Sequence, residues 1–414
     1  MTVLAPELTW TGERFERNVR VEIDGPRIRA VGGAGGGEAM RLDRRALLPG
    51  FVNAHSHAFQ RGLRGHGETF PSGAGSFWTW REAMYRLVSE LTWKGFRDLC
   101  VRAFREMRRA GITTVGEFHY LHHAKADDYA LDPIVLDAAA EAGIRIVLLN
   151  AYYATGGIGK ALEGAQLRFR TKTPSEYWAR MDALRVDDEM QRLGAVVHSV
   201  RAAAPEDLAD VHREAKRRGL AFHIHLEEQP LEIEQCVKAY GRRPMQLVLD
   251  RCEVDARTTA VHCTHTDAND MMIWRGCGAR MCACPLTEAN LGDGLPALTG
   301  PAALGTDSNA RISMLEEMRW LEYGQRLKTL TRGALKCCGA WLHAATAEGA
   351  DALGVPAGRI AKDCYADFVA VDLDAPTLEG WTDDTLLDAL LTGCAEEAIA
   401  ATCVGGEWQD VRVP

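Results

Sequence analysis

The stretch LLPGFVNAHSH, residues 47–57, carries an apolar run from Leu47 to Ala54 that leads directly into two histidines. A short apolar run of this kind predicts a buried strand. Seven more runs follow, separated by segments with helical periodicity, which predicts repeated βα units and a parallel sheet. These runs are 113–118, 144–151, 195–199, 220–225, 259–264, 279–284 and 302–305. Eight such strands predict an α/β fold, a TIM-type (β/α)8 barrel, with its chemistry at the carboxyl ends of the strands.

The helical segments and the two flanks complete the domain organisation. Helical periodicity covers 96–110, 133–141, 175–193, 206–218 and 314–330. The barrel is expected over residues 49–361, and residues 1–48 and 362–414 are expected to form one small, discontinuous β-sandwich domain. In the seventh unit about 14 residues follow Pro285 before the next strand, near the lower limit of about 10–12 residues for a crossover. We therefore expect its helix to be a single turn or absent.

Composition excludes several classes of protein. Of the 414 residues 47% are hydrophobic, and the formal net charge is −9. An acidic chain without a basic stripe is not expected to bind nucleic acid. No apolar run reaches the roughly 18 residues that a membrane helix requires, and no signal-peptide pattern is present. The twelve cysteines show no disulfide spacing, and Cys277, Cys282 and Cys284 are interpreted as buried thiols. A reducing, cytoplasmic location is therefore expected.

Histidines concentrate at the ends of the predicted strands. They are His55, His57, His119, His198, His223, His225, His262 and His265, and Asp307 follows the eighth strand. Residues i and i+2 of a strand share one face, and strand ends of a barrel converge on one mouth. One buried histidine is more often a hydrogen-bonded core residue. Several imidazoles with a carboxylate at one mouth favour instead a divalent metal ion, above all Zn²⁺.

Such a metal ion would lower the pKa of bound water to about 7 and supply hydroxide at neutral pH. Glu228, three residues after His225 at the top of the fifth strand, is positioned to take a proton from that water and pass it to a leaving nitrogen. Asp307 is expected to bind the metal and hydrogen-bond the nucleophile, and His262 to polarise the substrate or hold the hydroxide. Since the fourth strand carries no lysine that could bridge two metals as a carbamate, one metal ion is favoured.

Four motifs stand at these strand ends: LLPGFVNAHSHAFQRGLRG (47–65), HIHLEEQ (223–229), VHCTHTD (261–267) and LGTDS (304–308). Together they resemble the amidohydrolase superfamily in its mononuclear deaminase branch. SFWTWREAMYR (76–86), GEFHYLHH (116–123) and VVHSVRAA (196–203) are similar to its formimidoylglutamate deiminase family. The resemblance implies three sets of residues: His55, His57, His225 and Asp307 for the metal, Glu228, His262 and Asp307 for catalysis, and Gln60, Arg81, Tyr120, His198 and Arg201 for the substrate.

The reaction that this resemblance implies is the hydrolytic deimination of N-formimino-L-glutamate in histidine degradation. Zinc-bound hydroxide would attack the formimino carbon, giving N-formyl-L-glutamate and ammonia. Two arginines suit a small dicarboxylate, because a guanidinium binds a carboxylate through two parallel hydrogen bonds. Deamination of a purine or another aminated heterocycle, and hydrolysis of imidazolonepropionate, remain alternatives.

Two features bear on substrate choice and assembly. Residues 309–311 depart from the family pattern. Arg311 is expected to add a positive charge close to the site, where it either assists a substrate carboxylate or pairs with an acidic neighbour. Aromatic residues concentrate near the first helix, at Phe77, Trp78, Trp80, Tyr85 and Trp93. They fit either a lid and core or, because relatives associate, the interface of a homodimer.

Overall fold

The computed structural model describes residues 1–33, 39–68, 70, 73–125, 127–187 and 189–410. These residues form two eight-stranded sheets. The strands before the barrel are β1 Thr2–Trp10, β2 Phe15–Arg17, β3 Arg20–Asp24, β4 Arg27–Gly32 and β5 Met40–Pro49. The barrel strands are β6 Phe51–Ser56, β7 Ile112–His119, β8 Arg145–Tyr152, β9 Gln191–Ser199, β10 Phe222–Leu226, β11 Thr258–His262, β12 Arg280–Ala283 and β13 Ala303–Leu304. The strands after it are β14 Phe368–Asp372, β15 Ile399–Val404 and β16 Glu407–Asp410.

The barrel sheet is parallel, with its strands in sequential order from β6 to β13. A parallel bridge between Ser56 and Asp307 joins its two edges, and the backbone N–H of Asp307 donates to the carbonyl oxygen of His55 at 3.0 Å. Strands such as β7 and β8 are buried along their whole length, as parallel strands covered by helices are. The predicted (β/α)8 barrel with a small β domain from both termini is confirmed.

The helices lie between and after these strands. Their bounds are α1 Phe77–Glu90, α2 Trp93–Arg109, α3 Leu131–Ala142, α4 Pro174–Ala183, α5 Pro205–Arg218, α6 Pro230–Tyr240, α7 Pro244–Arg251, α8 Ala268–Gly276, α9 Pro285–Leu291, α10 Met314–Thr329, α11 Cys338–Ala344, α12 Ala347–Leu353 and α13 Leu386–Gly393. Local signals set their ends. The Thr92 hydroxyl accepts the backbone N–H of Gly95 at the start of α2, and α5 ends at Gly219, whose φ of 68° is left-handed.

Three boundaries differ from the sequence prediction. Residues 47–49 belong to β5, and the first barrel strand begins at Phe51, because Gly50 separates the two strands and any side chain there would collide with Thr113. The helix predicted over 175–193 ends at Ala183, since residues 191–193 pair with β8 as the start of β9. The seventh unit contains a helix of seven residues, α9, because Pro285 opens it directly after β12.

The small domain is built on a mixed sheet in the order β16-β15-β14-β5-β1-β3-β4, with β2 on β1. Strand β5 pairs in parallel with β1 and antiparallel with β14, so both termini contribute to one sheet. A buried ion pair ties this sheet to the barrel: Arg145 of β8 contacts Asp367 through Nε at 3.1 Å and Nη2 at 3.0 Å. The predicted domain ends at 414, but residues 411–414 lie outside the described part.

Two further expectations concern the cysteines and membranes. All twelve cysteines are unpaired in the described chain. Cys282 and Cys284 are buried as predicted, whereas Cys277 is exposed, because it follows α8 at the protein surface. Among the described helices none is both long and apolar enough to cross a membrane.

Candidate active site

The carboxyl ends of the barrel strands bring together the four side chains that were predicted to bind the metal: His55, His57, His225 and Asp307. Asp307 Oδ1 lies 3.0 Å from His55 Nε2 and 3.2 Å from His57 Nε2, and His225 Nε2 lies 3.1 Å from His55 Nε2. All four residues are buried. His55 is the penultimate residue of β6 and His225 belongs to β10, so residues from opposite sides of the barrel meet at one point.

The hydrogen bonds of these histidines suit metal binding. His57 Nδ1 lies 2.8 Å from the Phe118 carbonyl oxygen, and His225 Nδ1 lies 2.9 Å from that of His198. A carbonyl oxygen only accepts, so both Nδ1 atoms carry hydrogen and donate to it, which leaves Nε2 of each ring facing Asp307 or His55. Carbonyl contacts of this kind hold the orientation of metal-ligating histidines. The donor set of imidazole nitrogens and a carboxylate fits Zn²⁺.

His262 stands apart from the other histidines of the cluster. Its ligand atom lies within 4.8 Å of those of His55, His225 and Asp307. Its two nitrogens, however, face carboxylates: Nε2 is 3.7 Å from Glu228 Oε1, and Nδ1 is 3.6 Å from Glu288 Oε1.

These carboxylates determine the charge of the ring. Burial by itself would lower the pKa of His262, but Glu228, Glu288 and Asp307 together raise it to about 10. A raised pKa allows the ring to carry a proton and donate a hydrogen bond, which suits proton transfer.

Glu228 and Asp307 differ in their electrostatic environment although both are buried. Burial raises the pKa of Glu228, with the nearby His262 and Arg201 acting in the opposite direction. Burial would also raise the pKa of Asp307, but the ring nitrogens of His55 and His57 hold it well below its ordinary value. Two carboxylates with separated proton affinities, one ionised and one able to take up a proton, are what acid–base chemistry requires.

The predicted substrate residues line one cavity of about 290 Å³ above this cluster, together with His57, His225, Glu228, His262 and Asp307. Gln60 Nε2 donates to the Tyr120 hydroxyl at 2.7 Å, and Arg81 Nε donates to the Tyr85 hydroxyl at 2.7 Å. Arg201 is buried at the side of Glu228, with Nη2 3.9 Å from Glu228 Oε2.

His198 lies among these groups without a charge of its own. Burial, followed by the charges of Arg201, His57 and Arg81, holds its pKa well below the ordinary value for histidine. The five residues predicted to bind substrate, Gln60, Arg81, Tyr120, His198 and Arg201, are thus brought together.

Three of the strand-end histidines belong neither to the cavity lining nor to the cluster around Asp307. His119 Nε2 contacts Asp132 Oδ1 at 2.9 Å, towards α3. His223 contacts the Ala352 carbonyl oxygen at 3.0 Å, about 6–7 Å along the strand from His225. His265 lies beyond the end of β11 and does not line the cavity. The expectation that all of the strand-end histidines converge on the mouth is therefore wrong. Side chains at a strand end can also contact a helix outside the barrel, as His119 does, or residues below the mouth, as His223 does.

In the loop at 309–311, one of the two roles expected for Arg311, pairing with an acidic neighbour, is observed. Asn309 is buried, and its Nδ2 donates to Ser56 Oγ at 3.1 Å and to the His57 carbonyl oxygen at 3.0 Å. Arg311 is half exposed and pairs with Glu396 at 3.4 Å, so it adds no charge to the cavity. Asn309 thus holds the backbone next to His57 and Asp307 in place.

Sequence reasoning missed several cavity residues. Tyr153, Lys160, Leu231 and Gln235 line the cavity but belong to no quoted motif. Ser199 also lines it, although only His198 and Arg201 were predicted to bind substrate within the motif at 196–203. For the aromatic residues near the first helix, the sequence left open whether they form a lid and core or a dimer interface. In the structure Phe77, Trp78, Trp80 and Tyr85 line the cavity, whereas Trp93 is 57% exposed. Glu288 was also missed, because its position against His262 follows only from the tertiary fold.

Comparison with known proteins places this geometry in a family. The model of the amidohydrolase family matches residues 46–408. The chain belongs to the amidohydrolase family. It is 38% identical to formimidoylglutamate deiminase of Pseudomonas aeruginosa, with 99% of this chain and 94% of that protein covered. This amidohydrolase is therefore an enzyme, a hydrolase homologous to a named deiminase.

Other relatives and solved structures agree on the fold. A 5-methylthioadenosine/S-adenosylhomocysteine deaminase of Haloquadratum walsbyi is 30% identical over 80% of this chain and 72% of that protein. A crystal structure of an amidohydrolase from Brucella melitensis superposes with a TM-score of 0.88 at 31% identity, covering 99% and 95% of the two chains. Atrazine chlorohydrolase from Arthrobacter aurescens, solved with zinc, superposes with a TM-score of 0.87 at 19% identity, covering 99% and 95%.

Proposed function

We propose that this amidohydrolase is a zinc-dependent formimidoylglutamate deiminase, which converts N-formimino-L-glutamate and water into N-formyl-L-glutamate and ammonia. The observation that carries the proposal is the pair of arginines in the cavity. Arg81 lines the cavity and makes no ion pair with any described residue. Arg201 is buried beside Glu228. Two guanidinium groups in a small cavity suit a substrate with two carboxylates. The deiminase name of the Pseudomonas aeruginosa relative supports the same substrate.

The metal-binding residues in this proposal are His55, His57, His225 and Asp307. One divalent ion, Zn²⁺ by the donor set and by the zinc in the atrazine chlorohydrolase structure, would lower the pKa of a coordinated water to about 7.

The remaining chemistry belongs to the side chains of the chain. Glu228, with its raised pKa, accepts the proton from the attacking water and delivers it to the leaving nitrogen. Cationic His262 donates a hydrogen bond to the negative charge that develops in the tetrahedral state, and Asp307 accepts one from the attacking water.

The substrate residues divide between the two ends of the molecule to be bound. Arg81 and Arg201 hold the carboxylates. Gln60, Tyr120 and His198 lie close to the metal-binding residues, since the Tyr120 ring centroid is 5.1 Å from that of His57 and His198 is 4.8 Å from His225. These three groups orient the formimino group towards Glu228, and uncharged His198 can accept or donate one hydrogen bond there.

A second candidate function is deamination of an aminated heterocycle. Trp78, Trp80 and Tyr85 line the cavity, and aromatic faces stack well on planar rings. Several relatives are named 5-methylthioadenosine/S-adenosylhomocysteine deaminase. The dicarboxylate substrate is favoured because a neutral heterocycle gives the two arginines no carboxylate to bind.

Ammonia release distinguishes these functions. The zinc-loaded protein is assayed with N-formimino-L-glutamate, S-adenosylhomocysteine and imidazolonepropionate, with chelator-treated protein as the control. Metal-dependent ammonia from N-formimino-L-glutamate supports the proposal. Ammonia from the nucleoside alone, or turnover of imidazolonepropionate alone, would transfer the chemistry to that substrate, and equal rates after chelation would refute a metal-dependent reaction.

Location, assembly and domain limits complete the proposal. We propose a cytoplasmic enzyme of histidine degradation, supported by twelve unpaired cysteines, which suit a reducing compartment.

We also propose a homodimer, to be tested by light scattering, with exposed Trp93 on α2 as the first contact to examine. The proposed domain limits remain 1–48 with 362–414 and 49–361, supported by the change of sheet at Gly50.

A further inference from the structure

A buried carboxylate without an assigned role lies behind the cavity wall. Glu232, in the first turn of α6, is 0% exposed. Neither of its carboxylate oxygens has a hydrogen-bond partner of normal geometry among the described residues. Its Oε1 atom lies 3.4 Å from Arg201 Nε. A buried carboxylate that is paired this loosely costs free energy, so its presence calls for an explanation.

Arg201 lies between two carboxylates. Glu232 faces the Nε edge of the guanidinium, and Glu228 Oε2 lies 3.9 Å from Nη2. Because a guanidinium in a buried site strongly attracts any carboxylate within reach, loss of Glu232 would leave Glu228 as its nearest charged partner. A direct pair between Arg201 and Glu228 would occupy both the substrate-binding arginine and the proton carrier.

On the basis of the proposed function, we propose that Glu232 is a positioning residue that holds the Arg201 guanidinium by its Nε edge. The Nη atoms then stay directed to a substrate carboxylate. Glu228 stays 3.9 Å from Nη2 instead of forming a direct hydrogen bond with it, and so remains able to carry a proton. Glu232 itself does not line the cavity and acts through Arg201. Burial raises the pKa of Glu232 to about 7, while Arg201 opposes this rise, so the negative charge of Glu232 depends on the arginine.

A double-mutant cycle on the zinc-loaded protein tests this role. Binding of glutarate, a dicarboxylate without a reacting group, is measured by calorimetry for wild type, E232Q, R201A and the double variant. We expect E232Q to weaken binding about tenfold, since a hydrogen bond to a charged group contributes at least about 1.5 kcal/mol. In the R201A background the same substitution should have no further effect. The matched control is E234Q, the same change at an exposed position of α6.

Kinetics provide the second readout, with N-formimino-L-glutamate as substrate. E232Q should raise KM and also lower kcat, because Arg201 then engages Glu228, whereas a purely structural defect lowers the active fraction and leaves KM unchanged. E232D, which keeps the charge, should recover part of the loss and also serves if E232Q does not fold.

The outcomes separate this inference from the proposed function. Equal weakening of glutarate binding by E232Q in wild-type and R201A backgrounds, or unchanged binding in E232Q, overturns the role of Glu232. Absence of Arg201-dependent glutarate binding in the wild type overturns its premise. If the cycle gives the expected coupling but the wild type releases no ammonia from N-formimino-L-glutamate, the positioning role is supported and the substrate assignment fails.

Discussion

Replacing Glu228 by glutamine tests the proposed proton transfer most directly. The amide keeps the shape of the side chain but cannot carry the proton between water and the leaving nitrogen. Glu228 contacts His262 at 3.7 Å and Arg201 at 3.9 Å. None of its described ion pairs and hydrogen bonds involves the four proposed metal ligands, so we expect the metal content to stay unchanged.

The expected magnitude follows from what else lines the cavity. Among the described lining residues, Glu228 and Asp307 are the acidic side chains. Asp307 already contacts His55 and His57. No second carboxylate can therefore replace Glu228 as proton carrier. General acid–base catalysis contributes about 10²–10⁴ in rate, so kcat should fall by this range, which corresponds to about 3–5 kcal/mol in the activation barrier.

The assay measures ammonia release at saturating N-formimino-L-glutamate, with zinc content and melting temperature measured on the same samples. The matched control is E227Q, the same change one residue earlier. Glu227 is buried against Arg243 at 3.2 Å, away from the cavity, so its loss should lower stability and leave kcat within a few-fold of wild type. A kcat for E228Q within tenfold of wild type, at full zinc occupancy, would refute the role assigned to Glu228.

Three further predictions address the fold and the metal. D367N leaves the buried Arg145 without its partner and should lower the free energy of unfolding, measured by urea denaturation, by about 3–5 kcal/mol. The control D43N removes one partner of an exposed pair and should change this free energy by less than about 1 kcal/mol. Equal effects of the two substitutions would contradict the role of the buried pair. H225A should reduce the zinc retained after dialysis, measured by mass spectrometry, and full retention would remove His225 from the ligand set. Burial lowers the pKa of His212 to about 4 from an ordinary value near 6.5, so the unfolded chain binds more protons between these limits. Stability should therefore fall as the pH drops from about 6.5 to 4, by up to about 3 kcal/mol, and His212→Gln should flatten that slope; an unchanged slope would show that His212 titrates normally.

The barrel could be predicted because each of its strands carries a local signal. Fully buried parallel strands are short apolar runs whatever their neighbours are, and the helices between them repeat with their own period. Boundaries were less predictable where a tertiary contact sets them. The change of sheet at Gly50 depends on the closeness of Thr113, and the start of β9 at Gln191 depends on pairing with β8.

The pattern of His55 and His57 followed from strand alternation, which is local. Glu288 illustrates the opposite case, because its carboxylate reaches His262 only after β12 and α9 have folded against β11. The fate of His119 was also unpredictable, since the same strand end could face the cavity or Asp132 in α3.

The sequence by itself determined the barrel and the set of chemical groups at its mouth, because strand periodicity and residue type are local properties. Only the tertiary structure decided what each group can do there. The tautomer of His57 depends on the carbonyl of Phe118, and that of His225 on the carbonyl of His198. In our proposal the orientation of the Arg201 guanidinium depends on Glu232, which lies in helix α6. Hydrogen bonds and charge interactions act over a few ångströms in space, so residues far apart in the chain fix protonation and orientation only once the barrel has closed.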